Sequence, residues 1–261
     1  MANVNASDSS AARAAPLASF TLLWLVWAGL LAAALLVGNF KGHGGSGPTA
    51  LRMGSSVVLV VTAWWASVNW RAVAVGTFAL AIAIGMTLGA IGDFFNAGLL
   101  RFVPLPDATL GGIVAFGLGH VAYIAGCLWF ARAAGLTNRR AMIISVIVWQ
   151  LIGLVTWYFV VMQGTERRPL VWPALAYSLL LAGTAGVAAG MAFQERRLLP
   201  LALGAALFLA SDLILAFELF RGSFAHDTEC VWLTYGPGQM LIAFSILAAA
   251  RVRGEMVHLK L

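Results

Sequence analysis

The chain predicts an all-α fold: a polytopic membrane helix bundle of about eight transmembrane helices, organised as a four-plus-four internal repeat. Three observations predict it. Of its 261 residues 61% are hydrophobic and only 10% charged, far below the roughly 25% charged of soluble domains. Helix-length apolar stretches follow one another along nearly the whole chain. Basic residues fall between them as pairs such as Arg139-Arg140 and Arg196-Arg197, the placement expected of loops against a membrane surface. The third observation is that the two halves echo each other. The net charge of +6 therefore belongs to membrane-facing connections, and no nucleic acid is expected as a partner.

Each span needs roughly 20 residues to cross a hydrocarbon layer about 30 Å thick. Residues 1–16, rich in Ala, Ser and Asn, are expected to form a disordered N-terminal segment. The first span, Leu17–Val37, is too long for a signal-peptide core and lacks a small-x-small cleavage site, so it reads as retained. The Gly-rich stretch Lys41–Pro48 reads as a flexible loop before the second span, Thr49–Val68. Only Asn69-Trp70-Arg71 separates it from the long third span, Ala72–Leu99; without that break the count falls to seven. Thr109–Ala131 is the fourth span. Arg139-Arg140, Arg167-Arg168 and Arg196-Arg197 precede the fifth, Ala141–Met162, the sixth, Val171–Phe193, and the seventh, Leu198–Phe220. Val231–Ala250 is the eighth. A single membrane domain over 17–250 and a tail over 251–261 complete the organisation. Ten Lys and Arg on the side of both termini, against six on the other, place the termini in the cytoplasm. A bacterial inner membrane suits this plan, with an intracellular eukaryotic membrane as the alternative.

A shift of 119 positions places Gly85 on Gly204, Gly92 on Ser211 and Asp93 on Asp212. It continues into the next span, where Phe116-Gly117-Leu118-Gly119-His120 falls on Tyr235-Gly236-Pro237-Gly238-Gln239. Four helices per half preserve direction across the membrane, so the halves would be related by a pseudo-twofold along the membrane normal. Asp93 and Asp212 would then face each other at similar depth. A carboxylate inside a membrane helix costs a few kcal/mol, about 3 on the lenient insertion scale, and marks a site by default.

At 1.5 Å per residue Asp212 lies roughly 21 Å from the cytoplasmic start of its span and His120 roughly 16 Å from the outer start of its own. One cavity opening toward the outer half would hold both. Phe116, His120 and Tyr123 share a helix face. The competing interpretation of the aspartates is a buried clasp between helices, and that of His120 an interhelical hydrogen-bond donor. Ser211 lies in no G-x-S-x-G elbow, so it is expected to bond its own helix rather than act as a nucleophile. Glu218 reaches the interface. Trp64-Trp65 could line an acyl-chain pocket. The two cysteines, Cys127 and Cys230, sit in different segments and point to structural roles. The four histidines form no H-E-x-x-H pair, and neither metal nor cofactor is expected.

The segments Gly92-Asp93-Phe94-Phe95, Phe116–Tyr123, Phe208–Ala216 and Tyr235–Ile242 resemble the YhhN, or lysoplasmalogenase-like, membrane protein family over about Thr49 to Ala250. The resemblance implies a multi-span hydrolase that cleaves the vinyl ether bond of lysoplasmalogens to a fatty aldehyde and a glycerophospho-alcohol such as glycerophosphocholine or glycerophosphoethanolamine. It implies that Asp93, His120, Tyr123, Asp212 and Gln239 surround the site. Within it Asp93, Asp212 and His120 are expected as catalytic residues, and Tyr123, Gln239 and Ser211 as contacts to the lysophospholipid. The chain departs from the family pattern in the Gly-rich loop ending at Pro48.

The chemistry suits two acids. Protonation of the vinyl ether β-carbon yields an oxocarbenium ion that water captures. Two carboxylates facing each other in a low-dielectric cavity do not both ionise readily, so one is expected to serve as general acid while the other stabilises the cation and orients water. Asp212 is assigned as acid and Asp93 as base, with the reverse equally compatible; His120 would tune either one. Arg101 or Arg221 is expected at the outer mouth to meet the phosphate. The alternative class is a lipid-binding protein or proton-coupled transporter that uses the same acids.

Overall fold

The computed structural model describes residues 5–41, 46–70 and 73–254, with side chains described for 17–38, 46–70 and 74–254. Eight long helices follow in order: α1 (Asn5–Lys41), α2 (Ser46–Asn69), α3 (Val73–Asn96), α4 (Ala108–Ala133), α5 (Arg139–Trp157), α6 (Val171–Gln194), α7 (Leu199–Arg221) and α8 (Asp227–Val252). All eight are long and apolar enough to cross a membrane, and the protein is an integral, multi-pass membrane bundle. The break between the second and third spans is present, because α2 stops at Asn69 and α3 starts at Val73. Helical backbone already begins at Asn5, ahead of the expected start at Leu17. Residues 1–4, 42–45 and 255–261, which carry parts of the expected tails and loop, lie outside the described residues.

Local chemistry sets the helix ends. Asp107 precedes α4, and its carboxylate accepts from the Thr109 N–H at 2.8 Å, satisfying one of the donors that a helix start leaves open. Arg167 donates to the same side chain at 3.0 Å, joining the α3–α4 and α5–α6 connections. Partial burial pushes the Asp107 carboxyl up, but the Thr109 bonds and the Arg167 charge outweigh it and hold the group below the usual carboxylate range. Asn138 caps α5 through Ala141 N–H at 3.1 Å. A five-residue π-helical turn, Tyr158–Met162, extends α5, a feature that often accompanies functional sites.

Packing follows small residues, because lipid gives helices little hydrophobic reason to associate. A Cβ on Gly119 would stand 3.1 Å from the Gly85 carbonyl oxygen where α4 crosses α3. The matched pair does the same between α7 and α8, where a Cβ on Gly204 would stand 2.8 Å from the Gly238 oxygen. The repeat seen in sequence is therefore a repeated helix crossing. It extends outward, since α4 packs on α6 as α2 packs on α8. Tyr123, Phe78, Phe130 and Phe208 are fully buried in the central core. A smaller apolar cluster of Trp157, Val161, Leu170, Val171, Ala174 and Phe220 closes the far end of α5, α6 and α7. Ile143, Ile144, Ile147 and Leu151 on α5 point outward, as lipid-facing residues do.

Candidate active site

A cavity of about 370 Å³ opens at one end of the bundle, lined by residues including Asp93 of α3, Asp212 and Glu218 of α7, Phe116 of α4 and Tyr235 of α8. Thr49 at the start of α2, Asn96 at the end of α3 and Thr228 at the start of α8 also line it, which puts its mouth at the end opposite the start of α1 and the end of α8. A narrower, mainly apolar slot of about 80 Å³ runs between α4, α5, α6 and α7. Asn96, Phe116, Asp212 and Leu215 line both spaces, so Asp212 stands at their junction.

Asp93 is 5% exposed. Its Oδ2 accepts from the Ser56 hydroxyl at 2.6 Å and from the Tyr235 hydroxyl at 2.9 Å. Behind Tyr235 the chain continues inward: the Gln239 side-chain amide donates to the Tyr235 oxygen at 2.9 Å, and the Tyr123 hydroxyl donates to Gln239 Oε1 at 3.3 Å. Tyr123 and Gln239 thus support Asp93 through Tyr235 and do not line the cavity. Asp212 accepts from the Tyr177 hydroxyl of α6. Each aspartate is accordingly held by a hydroxyl of the preceding helix, α2 for Asp93 and α6 for Asp212.

Ser211 is fully buried and donates to the Phe208 carbonyl oxygen at 2.6 Å, with Asp212 Oδ1 at 3.3 Å. It bonds its own helix, as expected, and does not line the cavity. His120 lies deeper. Its Nδ1 sits 2.9 Å from the Thr184 hydroxyl, and its ring packs edge-on against Phe208 with centroids 4.6 Å apart. It lines neither space, so it reaches the aspartates only through neighbouring rings such as Tyr177, 6.0 Å away between centroids.

Several expectations change. Arg221 donates to the Val160 and Phe159 carbonyl oxygens and so caps the end of α5; neither it nor Arg101 lines the cavity. Trp64 faces outward and Trp65 packs against Phe20, away from both spaces. Glu218, expected close to the exit, lines the cavity together with Leu215. Ser56, Tyr177 and Arg52 were not singled out by sequence. A serine in a membrane helix normally bonds its own backbone and a tyrosine reads as packing, so nothing local marks Ser56 or Tyr177 as the partner of an aspartate. Tyr235 was visible as the partner of Phe116 in the repeat. Among the described residues no His, Cys, Asp and Glu cluster is arranged to hold a metal ion.

The chain is thus a multi-pass helical membrane protein with two aspartates lining one cavity at one end of its bundle. The chain belongs to the YhhN family, whose model matches residues 48–246. It is similar to "Lysoplasmalogenase TMEM86B" of Sus scrofa, 29% identical over 153 residues, covering 57% of this chain and 58% of the relative. The similarity thus spans little more than half the length of that relative. No solved structure matches the chain.

Proposed function

We propose that the protein is a membrane-embedded hydrolase that cleaves the vinyl ether bond of lysoplasmalogens by carboxylate general acid and base chemistry. The observation that carries the proposal is the pair Asp93 and Asp212 lining one cavity beside an apolar slot. Family membership and the likeness to a lysoplasmalogenase support the substrate class. The slot suits the first carbons of the alkenyl chain, and the wider cavity suits the glycerol and its head group. The vinyl ether then lies at their junction, next to Asp212.

Asp212 gives its proton to the β-carbon of the double bond, and the ether oxygen supplies electrons to form an oxocarbenium ion. Asp93, oriented by Ser56 and Tyr235, stabilises that cation and takes a proton from water as the new C–O bond forms. The resulting hemiacetal collapses when Asp93 returns its proton to the departing glycerol oxygen and Asp212 accepts the hydroxyl proton. One water is consumed, aldehyde and glycerophospho-alcohol leave, and both carboxyls regain their starting states. Tyr123 and Gln239 position Tyr235, while His120 braces the rings around Tyr177. The bias of basic residues supports a cytoplasmic location for the start of α1 and the end of α8, with the cavity opening toward the opposite side.

The test is aldehyde release by the detergent-purified protein from a lysoplasmalogen and from the same lipid with a saturated ether. Release from the vinyl ether alone is expected. Absence of release from either, across head groups and pH, would remove the assignment.

A further inference from the structure

Arg52 is the one cationic side chain lining the cavity among the described residues. It is 5% exposed and lies four residues before Ser56 on α2, so it shares a helix face with the hydroxyl that bonds Asp93. Its Nε and Nη2 atoms are buried and have no hydrogen-bond partner among the described residues. Its guanidinium carbon lies 5.9 Å from the centre of the Trp232 ring, which also lines the cavity. Glu229 supplies a through-space counter-charge, and Glu218 lines the same space. Neither takes the Nε–H or Nη2–H protons.

Interiors rarely leave such donors unused, because desolvating a guanidinium without hydrogen bonds is costly. Nε and Nη2 together form the side-on fork that matches two oxygens of one phosphate. Gly38 of α1 lies beside it: a Cβ there would stand 3.3 Å from Nη2 and 3.6 Å from Glu229 Oε1, so the missing side chain leaves room at the fork. Glu229 offsets the charge through space, and the Nε and Nη2 protons are unclaimed among the described residues.

We propose that Arg52 is the phosphate-binding residue of this cavity, receiving two non-bridging oxygens of the lysophospholipid phosphodiester on Nε and Nη2. This rests on the lysoplasmalogenase reading. Held there, the head group lies near the mouth, and the glycerol ether reaches inward toward Asp93 and Asp212. Arg52 is a positioning and specificity residue; it touches no reacting atom.

The test measures equilibrium binding, by the purified full-length protein, of two uncleavable lipids: a saturated-ether lysophospholipid and the corresponding alkylglycerol, which lacks phosphate. Wild type should prefer the phosphate-bearing lipid. Arg52→Gln should weaken that lipid by roughly 10- to 100-fold, the scale of a lost charge-assisted pair, and change the alkylglycerol by less than about 3-fold. Gly38→Val, which keeps the arginine but crowds its fork, should reduce the same preference. It serves as the deciding variant if Arg52→Gln does not fold. Equal weakening of both lipids in the folded variants, or no weakening in either, would overturn the proposal. So would displacement of the lipid by inorganic phosphate alone, which would make the site one for free anions. Aldehyde release without a phosphate preference would remove Arg52's role and leave the hydrolase; phosphate preference without aldehyde release would remove the hydrolase and leave the phosphate site.

Discussion

Asp93 and Asp212 resemble each other in sequence and differ in their surroundings. Asp93 lines the polar cavity with two hydroxyl donors on one oxygen, whereas Asp212 stands where that cavity meets the apolar slot. This difference suits the division of labour proposed above, in which the atom to be protonated belongs to the alkenyl chain and the attacking water to the polar side. The asymmetry traces to single substitutions within the repeat: Tyr235 has a hydroxyl for Asp93, and its counterpart Phe116 has none. His120 belongs to another layer. His120→Gln is expected to destabilise the fold by about 1–3 kcal/mol through the lost buried bond to Thr184, and to lower kcat less than 10-fold, with KM unchanged. Thermal unfolding and steady-state kinetics on one preparation check this; a loss as deep as that of an aspartate variant would return His120 to the chemistry. Both carboxylates were legible in sequence because a charge stands out in an apolar helix. Arg52, near the start of α2, resembled an ordinary loop-proximal basic residue, and only the tertiary placement against Trp232 reveals its environment.

At the scale of elements, the close crossings α3–α4 and α7–α8 set the positions of both aspartates. Gly204→Ala would bring a methyl carbon to 2.8 Å from the Gly238 oxygen, so the helices must separate, at a cost of about 1–3 kcal/mol. Gly29→Ala, where nothing lies within 4 Å, is expected to leave stability unchanged or slightly raised. Melting temperatures of the two variants in one detergent check the contrast, and equal behaviour would mean that the crossing does not govern stability. The spans themselves were legible to within a few residues, because apolar length and flanking arginines are local signals. The early start of α1 at Asn5 was not, since Ala- and Ser-rich sequence is compatible with both helix and tail. The π-helical turn after Trp157 was likewise hidden, because its hydrogen-bond register leaves no mark on composition.

For the whole molecule, the repeat admits both an enzyme and a transporter. The structure weighs on the choice through its interior. Beyond the aspartates, away from the cavity mouth, Tyr123, Phe208, Phe78 and Phe130 fill the bundle and are 0–2% exposed. Transport would require this aromatic core to part, whereas hydrolysis needs access from one side only. On the proposed mechanism Asp93 and Asp212 work as one unit on one bond. Aldehyde release from a lysoplasmalogen by wild type, Asp93→Asn, Asp212→Asn and the double variant, each verified as folded, tests this. Each single variant should lose about 10²–10⁴-fold in kcat, and the double variant should lose no more than the worse single one, the mark of groups that act together. Near-wild-type activity in either single variant, or losses that multiply in the double, would contradict it.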